Sequence, residues 1–417
     1  MRVLFLHQTF PSLNEEGSGR AYDFAKQLVR DGHQVTVVAG QFSYLTGRRE
    51  PRYRGRFLVR EVHPGGWTVV RTWTPEGYHR SYLARALALL AYMFSGFVAI
   101  MLFTRCDVLV AATPPVTVGM LGGLAARLKR VPLVYEIRDL WVQAAAELGI
   151  VRSRLLLGVV RAWERSLYRQ AQVIVVNSPG FLPHLQTDGI ESEKVVLVPN
   201  GVDTALFHPA ADGSGIRRQH RLEGKFVAAY AGSLGLANDI TTILRAADRL
   251  RGESDIRILL VGDGNRRRQA EDEARALGLT NVIFTGRVPK QVVAQYLCAA
   301  DVGICTLMDT PVFRTVYPNK VFDTMACARP VVILVDGVIR EVVEQARAGI
   351  CVRPGDASGL ADALLRLRSD PDGRRRMGEA GRRTVAERFD RWQSAKQMAA
   401  LLGRVTARRR QRAAQGG

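Results

Sequence analysis

The sequence predicts an α/β protein with two parallel, doubly wound sheets, each in its own domain. Twice along the 417 residues, short apolar runs of strand length alternate with longer segments whose apolar residues recur at helical spacing. Such alternation is typical of βαβ units, whose strands pair in parallel. A polar, glycine-containing connector over residues 210–224 separates the two series. We therefore expect two Rossmann-like domains, 1–210 and 211–390, followed by a helix and a basic tail over 391–417.

The individual elements follow from the spacing of the apolar residues. The first series starts with a strand at residues 2–6, a loop, and a helix that ends at Asp31-Gly32, where a C-terminal glycine is expected. After residue 355 the chain is predicted to be helical, and the last helix covers 391–402. The other predicted strands are 34–39, 68–71, 108–112, 133–137 and 173–176 in the first series, and 226–231, 256–261, 282–284, 302–306, 331–335 and 349–352 in the second.

The composition narrows the class of protein. With 47% hydrophobic and 24% charged residues, it is that of an ordinary soluble globular protein. The five cysteines are scattered and include no CxxC pair, which predicts neither a disulfide framework nor a zinc site and fits a reducing cytosol. The N-terminal residues run directly into a strand without a signal-peptide pattern. We therefore expect a cytoplasmic protein.

The formal net charge of +20 raises the question of a nucleic-acid partner. The arginines are spread along the whole chain, and no helix-turn-helix, zinc-finger or RNA-binding pattern accompanies them. We therefore expect no nucleic-acid partner. Two explanations of the charge remain open, a compositional bias of the genome and an attraction to anionic lipid headgroups and phosphorylated ligands.

The most informative segment is residues 195–209, which read VVLVPNGVDTALFHP. An apolar run of strand type stops before Asn200-Gly201, a turn-forming pair, and Asp203 follows at once. By themselves these residues predict a buried strand that delivers Asn200 and Asp203 to the edge of a sheet. The pattern PNGVDxxxFxP resembles the interdomain signature of the retaining family 4 glycosyltransferases, which have the GT-B fold. The resemblance implies that the two domains face each other across a cleft and that the last helix crosses back to the N-terminal domain.

Gly17-Ser18-Gly19 precedes the first helix, where the free backbone amides of a helix N-terminus can meet an anion. The loop is not a dinucleotide fingerprint, because Tyr22 stands in place of the third glycine and no acidic residue ends the second strand. The resembled family has a glycine loop at this position that contacts the donor diphosphate, and an arginine follows it. The resemblance therefore implies donor contacts for Gly17, Gly19 and Arg20.

Arg138 and Asp139 follow the predicted strand 133–137, at the end where open α/β sheets bind their ligands. An aspartate at this point also suits the cap of a following helical turn, and the residues alone leave both interpretations open. Relatives with a surface-polysaccharide role have a very similar RDLW segment. The resemblance favours a function for Asp139, which would position or deprotonate the acceptor hydroxyl. It also implies an acceptor-side or interdomain place for three residues, Arg138, Asn200 and Asp203.

In the second domain, Gly232, Ser233 and Gly235 form a loop between a strand and a helix that suits a phosphate group. The resembled family usually has an arginine and a lysine just after this loop, whereas this chain has Ala-Asn-Asp at 237–239. Another cation must then oppose the phosphate charge. Lys320 is our candidate, as a catalytic and donor-binding residue, with an ordinary solvated surface lysine as the alternative.

Residues 320–331 resemble the donor-site segment of the family, including its MAxxxPVV pattern. Of the two glutamates usual there, the second is matched by the shorter Asp323, and Thr315 stands at the first. The subgroup that makes O-antigen, colanic acid and similar polysaccharides departs in the same way and has a PxK motif. The resemblance implies donor contacts for Asn319, Lys320 and Asp323. It also implies that three residues after a strand present their backbone to the nucleobase, Gly286, Arg287 and Val288.

No metal site is expected from the sequence. The only DxD lies at 370–372, between two arginine-rich helical stretches, where it is typical of a turn. The seven histidines show no HxxxH or HExxH spacing. In the resembled fold, amide dipoles and a cation can stabilise a departing diphosphate without a metal. We expect neither a metal nor a cofactor, the nucleotide-sugar being a substrate.

The resemblance covers nearly the full chain and implies a retaining glycosyltransferase that takes a sugar from a nucleotide-diphosphate donor, with UDP as the expected carrier. The acceptor would be a lipid-linked sugar or another glycan precursor of a surface polysaccharide, at the inner face of the cytoplasmic membrane. The alternatives are a UDP-sugar 2-epimerase of the same fold and a nucleotide-binding or dehydrogenase-type Rossmann protein. The missing third glycine and the missing ribose-binding acid argue against the dehydrogenase.

Residues 86–104 contain no charge and are bracketed by Arg80, Arg85 and Arg105. A helix of this length nearly spans the ~30 Å hydrocarbon core of a bilayer. However, the strands before and after it are predicted to share one parallel sheet, which a single crossing would split. Two interpretations remain, a helix buried in the core and a helix lying in the membrane interface. We favour the interfacial helix, which predicts peripheral association with an anionic membrane surface.

Overall fold

The structure is a computed structural model, and the residues that it describes are 1–11, 19–43, 47–78 and 80–415. Its contacts divide the chain into two compact units. The N-terminal unit comprises Met1–Pro199 and Trp392–Gly417, and the C-terminal unit comprises Asn200–Arg391. Residues 200–210, which the sequence analysis assigned to the first domain, pack with the C-terminal unit, where Phe207 is buried in the core.

The N-terminal unit contains one sheet, whose described strands are β1 Arg2–Leu6, β2 Gln34–Gly40, β3 Leu58–Val62, β4 Thr68–Thr72, β5 Val108–Thr113, β6 Leu133–Ile137, β7 Val173–Val176 and β8 Val195–Leu197. Their spatial order is β3-β4-β2-β1-β5-β6-β7-β8, and every pair except β3–β4 is parallel. The central strands β5 and β6 are buried at every position, because helices cover both of their faces. The predicted parallel sheet of the first domain is confirmed.

The two edge strands of this sheet differ from the prediction. Strand β3 was not predicted, since Arg60 and Glu61 interrupt its apolar residues, and it pairs antiparallel with β4 alone. Strand β8 was predicted to be buried, but it is the opposite edge and is only partly covered. An edge strand has one neighbour, so its register and exposure depend on pairing rather than on its own apolar pattern.

Two helix layers cover this sheet. Its described helices before the chain enters the C-terminal unit are α1 Arg20–Arg30, α2 Tyr82–Phe103, α3 Val116–Lys129, α4 Trp141–Glu147, α5 Arg154–Gln170 and α6 Leu182–Thr187. On one face, α2 contacts β2 and β4, α3 contacts β5 and β6, and α5 packs beside α3. A Cβ atom added to Gly122 of α3 would lie 2.6 Å from the Cβ atom of Ala111. The glycine therefore allows α3 to lie close against β5.

The C-terminal unit repeats the architecture with the strands β9 Phe226–Ala231, β10 Ile256–Val261, β11 Val282–Gly286, β12 Val302–Thr306, β13 Val331–Leu334 and β14 Gly349–Cys351. They form an all-parallel sheet in the order β11-β10-β9-β12-β13-β14. The helices are α7 Ser214–Gln219, α8 Ile240–Arg249, α9 Arg267–Ala276, α10 Lys290–Ala299, α11 Asn319–Ala326, α12 Val338–Ala346, α13 Ala357–Ser369 and α14 Pro371–Arg388. The predicted pair of parallel-sheet α/β domains is thereby confirmed.

The last helix, α15 Arg391–Gln415, returns to the N-terminal unit. Its residues Met398 and Leu402 are fully buried in the same core cluster as Phe24 and Leu28 of α1, on the face of the first sheet opposite to α2 and α3. The predicted return of the last helix is confirmed, although the helix continues well past the predicted end at residue 402. Four short 3₁₀ helices complete the described elements, Pro51–Tyr53, Pro179–Phe181, Ser192–Lys194 and Pro311–Thr315.

Candidate functional site

Lys320 lies in the first turn of α11, at the carboxyl edge of the second sheet. Its Nζ atom donates hydrogen bonds to Tyr230 Oη, at 2.9 Å, and to Asn238 Oδ1, and it lies 4.5 Å from the centroid of the Tyr230 ring. Burial alone would lower the pKa of Lys320, but Tyr230 and Cys305 beside it raise the pKa above its ordinary value. The ammonium is therefore charged, and among the described residues no carboxylate forms an ion pair with it.

Tyr230 connects this lysine to the glycine loop that follows β9. The Tyr230 hydroxyl donates to the carbonyl oxygen of Ser233 at 2.7 Å, while the Lys320 ammonium donates to the same hydroxyl. A Cβ atom added to Gly232 would lie 3.4 Å from Lys320 Cε, so the loop backbone and the lysine are neighbours. The structure thus brings together Gly232, Ser233 and Lys320, which the sequence analysis had chosen separately.

A second glycine loop, Gly262-Asp263-Gly264 after β10, packs against the first one. Gly232 donates its N–H to Val261 O at 2.9 Å, and Leu234 donates its N–H to Asp263 O at 3.0 Å. A Cβ atom on Gly262 would lie 1.9 Å from Gly232 O, so only glycine permits this backbone approach. The sequence analysis missed this loop, although a GxG directly after a predicted strand was a usable signal.

A cavity of about 400 Å³ opens beside the first loop. It lies among the ends of β9 and β12 and the helices α8 and α9, within the size range of small-molecule sites. Its wall includes Gly235 and Asn238, and Asn238 is also the partner of Lys320. Asn238 belongs to the Ala-Asn-Asp segment that replaces the basic pair of the resembled family. This segment therefore carries no cation of its own, and its neutral Asn238 amide binds the Lys320 ammonium.

Gly286, Arg287 and Val288 lie at the carboxyl end of β11, the neighbour of β10. Gly286 has a positive φ of 77°, and its carbonyl oxygen accepts a hydrogen bond from the Gly262 N–H at 3.0 Å. Arg287 is exposed and Val288 is half-buried. These residues therefore adjoin the second glycine loop, and their predicted contact with a nucleobase stays a prediction.

Asn319 and Asp323 share α11 with Lys320 but have different surroundings. Asn319 is exposed at the start of the helix. Burial raises the pKa of Asp323 to about 6, and the cations that oppose this rise are Lys290 and Arg391. The charged groups near Asp323 are thus different from the Tyr230 and Asn238 side chains that surround Lys320. The predicted contact of Asp323 with the donor stays a prediction.

In the N-terminal unit, Arg138 and Asp139 follow β6 at the carboxyl edge of the sheet. Helix α4 begins after Leu140, and no side chain caps it, so the capping role considered for Asp139 is not observed. The Asp139 side chain is exposed, yet the protein around it still desolvates the carboxylate and raises its pKa to about 6, while Arg138 opposes the rise. Asp139 is therefore a carboxylate that can exchange a proton near neutral pH.

His7, directly after β1, was missed by the sequence analysis. The Arg138 guanidinium lies 3.0 Å from His7 Nε2, and Asn177 Nδ2 donates to the Arg138 carbonyl oxygen at 2.9 Å. Burial, together with the charge of Arg138, lowers the pKa of His7 to about 3. His7 is therefore neutral, and its Nε2 accepts from Arg138, which fixes the arginine beside Asp139. Its place at the end of a predicted strand was the available signal.

Gly17 lies outside the described residues, whereas Gly19 and Arg20 are described at the start of α1. Gly19 has a positive φ of 144°, and a Cβ atom added there would meet nothing within 4 Å. Arg20 is buried, forms an ion pair with Glu136, and donates to the carbonyl oxygens of Pro199, at 2.7 Å, and Val198. Burial lowers the pKa of Arg20 and Glu136 opposes this shift. Its guanidinium is held by its own unit, an arrangement that the family pattern did not predict.

Asn200 and Asp203 lie where the chain enters the C-terminal unit. The Asp203 carboxylate accepts the N–H of Ala205 at 3.0 Å and lies 3.1 Å from Arg391 Nη2. A Cβ atom on Gly201 would lie 2.6 Å from the carbonyl oxygen of Phe389. The signature segment thus packs against the residues that precede the last helix. Asp203 therefore forms a local ion pair and does not lie at the edge of a sheet, where the sequence analysis had predicted it.

Residues 370–372, the DxD, begin a helix instead of forming a turn. Asp370 accepts the N–H of Gly373 at 2.8 Å and caps α14. Within the described ranges, no group of three or more His, Cys, Asp or Glu side chains is arranged to hold a metal ion. Metal independence stays a prediction.

Taken together, the two parallel-sheet α/β units and the lysine beside paired glycine loops define an α/β protein with a site suited to a phosphorylated ligand. Residues 17–201 match the family model described as glycosyl transferase 4-like domain, and residues 225–370 match the model described as glycosyl transferases group 1. The chain belongs to this glycosyltransferase family, and it is a transferase enzyme with the GT-B fold.

Curated relatives include sugar transferases of bacteria. The MMP alpha-(1->4)-mannosyltransferase of Mycolicibacterium hassiacum is 28% identical over 262 residues, which span 60% of this chain and 60% of that protein. The putative colanic acid biosynthesis glycosyl transferase WcaI of Escherichia coli K12 is 25% identical over 82% of this chain and 87% of that protein. Among solved structures, Anabaena HepE in complex with UDP has a TM-score of 0.71 at 20% identity, covering 97% of this chain and all of the other. The last match concerns the fold alone.

Proposed function

We propose that this glycosyltransferase takes its sugar from a nucleotide-diphosphate donor, UDP being the expected carrier, and that the C-terminal unit binds the donor. The observation that carries the proposal is the charged Lys320, held by Tyr230 and Asn238 beside two glycine loops and lacking an ion-pair partner among the described residues. A partly buried cation of this kind beside a glycine loop suits a diphosphate. The presence of UDP in the HepE structure supports this choice of nucleotide.

In this proposal the sugar moves to the acceptor with retention of its anomeric configuration. The bond between the anomeric carbon and the diphosphate oxygen breaks, and the acceptor oxygen bonds to the same carbon. Lys320 opposes the charge that grows on the departing diphosphate. The Asp139 carboxylate orients the acceptor hydroxyl and accepts its proton, because a pKa of about 6 leaves the carboxylate ionised at neutral pH. Gly286, Arg287 and Val288 contact the nucleobase, and Asp323 contacts the donor.

The acceptor in this proposal is a lipid-linked sugar or another glycan precursor of a surface polysaccharide, met at the inner face of the cytoplasmic membrane. Helix α2 supports membrane association: Leu83–Phe103 is long and apolar enough to cross a bilayer, and only a third of its most apolar window is buried. Strands β4 and β5, before and after α2, belong to one sheet, which a single crossing would divide, and this supports a helix that lies along the membrane. The similarity to WcaI supports a polysaccharide role.

A donor panel tests the reaction. The protein is incubated with UDP-, GDP- and ADP-sugars, with and without a polyprenyl-diphosphate-linked sugar, and nucleotide release is measured together with the anomeric configuration of the product by NMR. We expect release that depends on the acceptor, with UDP donors, and a product of unchanged configuration. An inverted product, epimerisation of the free UDP-sugar, or release indifferent to every lipid-linked acceptor would each contradict a stated part of the proposal.

A further inference from the structure

The α2–α3–α5 layer of the N-terminal unit carries large apolar side chains on its outward face. On α2, Leu83, Leu90 and Phe94 are 71%, 61% and 65% exposed. On the other two helices the exposed apolar residues are Leu124 and Leu128 of α3 and Leu155, Leu156, Val159 and Trp163 of α5. Isolated exposed apolar residues are ordinary, but a helix layer that exposes them on all three members indicates an interaction surface.

A groove of about 720 Å³ lies at the end of the same layer, between the C-terminal ends of α3 and α5. Four arginines line it, Arg127, Arg130, Arg169 and Arg409, and no acidic residue is among its lining residues. In the described part of the chain no carboxylate pairs with these four side chains, and Arg409 donates only to the backbone carbonyl of Asp107, at 3.3 Å. Such a groove attracts anions because its charge is not neutralised internally.

The apolar face and the arginine groove are continuous. On α3, Leu124, Arg127 and Leu128 are three and four residues apart, which places them on one helix face, and all three are exposed. On α5, Trp163 precedes the groove residues Ser166 and Arg169 at successive turns. Helices α3 and α5 both follow parallel strands and end at the same sheet edge. On each of them the exposed apolar residues therefore precede the groove arginines, which lie at the C-terminal end.

We propose that this surface docks on a bilayer of anionic phospholipid, with the phosphodiester headgroup in the Arg127, Arg130 and Arg169 groove and the apolar face in the interface. Guanidinium groups bind phosphate oxygens through paired hydrogen bonds, and apolar side chains on the same helix face enter the boundary of the acyl region. The proposal rests on the proposed membrane association and adds to it the chemistry of the lipid and the residues that recognise it.

The test is vesicle flotation of the full chain at fixed ionic strength. Vesicles of pure phosphatidylcholine are compared with vesicles containing phosphatidylglycerol. The groove variant combines Arg127→Gln, Arg130→Gln and Arg169→Gln, and the matched control removes three exposed arginines of the C-terminal unit, Arg366→Gln, Arg376→Gln and Arg383→Gln. We expect the partition coefficient of the groove variant on phosphatidylglycerol vesicles to fall by roughly tenfold or more, and that of the control to change little, since each arginine near an anionic surface contributes about 1 kcal/mol.

Equal losses in the groove variant and the control would overturn the groove, because general charge would then explain the binding. Equal wild-type binding to the two kinds of vesicle would overturn anionic recognition while leaving membrane association standing. No binding to either kind would contradict the membrane association itself. A stable dimer in light scattering, dissociated by Leu124→Gln with Leu128→Gln, would assign the face to a second copy of the chain and overturn the lipid. Calorimetric binding of inorganic phosphate as tight as that of short-chain phosphatidylglycerol would likewise overturn the lipid assignment.

Discussion

The N-terminal and C-terminal units have the same architecture but differ in how many large apolar side chains they expose. Both have a sheet with helices on its two faces, and all strand pairs are parallel except β3–β4 of the N-terminal unit. Among the large apolar side chains that are exposed in the described ranges, however, every one except Met308 belongs to the N-terminal unit. One fold can therefore have a polar outer layer in one copy and an apolar outer layer in the other. The difference lies in the residue types at the outward-facing helix positions, since packing on the sheet constrains only the inner face of each helix.

The chemistry of the two units differs as well. In the C-terminal unit the candidate cation Lys320 is held in place by the hydrogen bonds that it donates to Tyr230 and Asn238. In the N-terminal unit the candidate base Asp139 is exposed. The adjacent Arg138 is held instead, because its guanidinium contacts His7 and its carbonyl oxygen accepts a hydrogen bond from Asn177. A cation held in place suits an anionic ligand such as diphosphate, whereas an exposed carboxylate suits proton exchange with an acceptor.

The sharpest test of the apolar outer layer compares the two faces of α2. Tyr92 is fully buried, and its hydroxyl donates to Val38 O at 2.8 Å, whereas Phe94, two residues on, is 65% exposed. We expect Tyr92→Ala to lower the free energy of unfolding by about 3–5 kcal/mol, and Phe94→Ala to change it by less than about 0.5 kcal/mol. Urea unfolding of the full chain measures both. A comparable loss for the two variants would mean that the outer face is packed in the folded protein.

The second test concerns the exposed carboxylate of the N-terminal unit. Asp139→Asn removes the charge and keeps the shape, so we expect donor binding to survive and turnover to fall by about 10²-fold. In the wild type, kcat/KM should rise with pH through about 6, the pKa of Asp139, because the ionised form is the base. In the variant this limb should disappear. Glu193→Gln, at an exposed carboxylate of the same unit, is the matched control. Unchanged turnover in the Asp139→Asn variant would remove Asp139 from the chemistry.

The third test concerns the held cation of the C-terminal unit. Lys320→Ala leaves the diphosphate charge unopposed, so we expect UDP affinity to weaken by about tenfold to a hundredfold, as for a lost charge-assisted contact of roughly 1.5–3 kcal/mol. Calorimetry with UDP measures the affinity, and Lys225→Ala is the control, since that ammonium contacts only Ser254 O, at 3.0 Å, among the described residues. If UDP binds the Lys320 variant and the wild type equally, the donor diphosphate is bound elsewhere.

The smallest effect is expected at Asp323. Its pKa of about 6 in the folded chain exceeds the ordinary value of 3.8, so its ionisation opposes folding. The stability that it contributes is fully present below about pH 3.8 and is lost as the pH rises through 6. Asp323→Asn, which mimics the protonated form, should therefore stabilise the protein at pH 8 by on the order of 2 kcal/mol, a value reduced for partial solvent contact. The gain should shrink at pH 5, and thermal unfolding at the two pH values measures it.

Much of the candidate site was predictable from the sequence, because glycine loops and charged residues directly after apolar runs mark the carboxyl edge of a parallel sheet. Gly232, Ser233 and Asp139 directly follow strands at such edges, as predicted, whereas Lys320 lies in the first turn of α11 and was chosen as a replacement for the missing basic pair. The partners of these residues were not predictable. Tyr230 and Asn238 contact Lys320 although they lie 90 and 82 residues away from it in the chain, and no local pattern specifies a contact at such separations.

The sequence by itself determined the two α/β sheets and the strand positions at their centres, since apolar spacing and glycine placement are local properties of the chain. The return of the last helix was implied by the family resemblance and not by the spacing of the apolar residues. Only the tertiary structure decided how the edges and the surfaces are used. Strand β8 became a partly covered edge, Arg20 became a buried partner of Glu136, and the apolar α2 was left covered on one face only. Each of these outcomes depends on which distant element packs alongside, and that is a property of the whole fold.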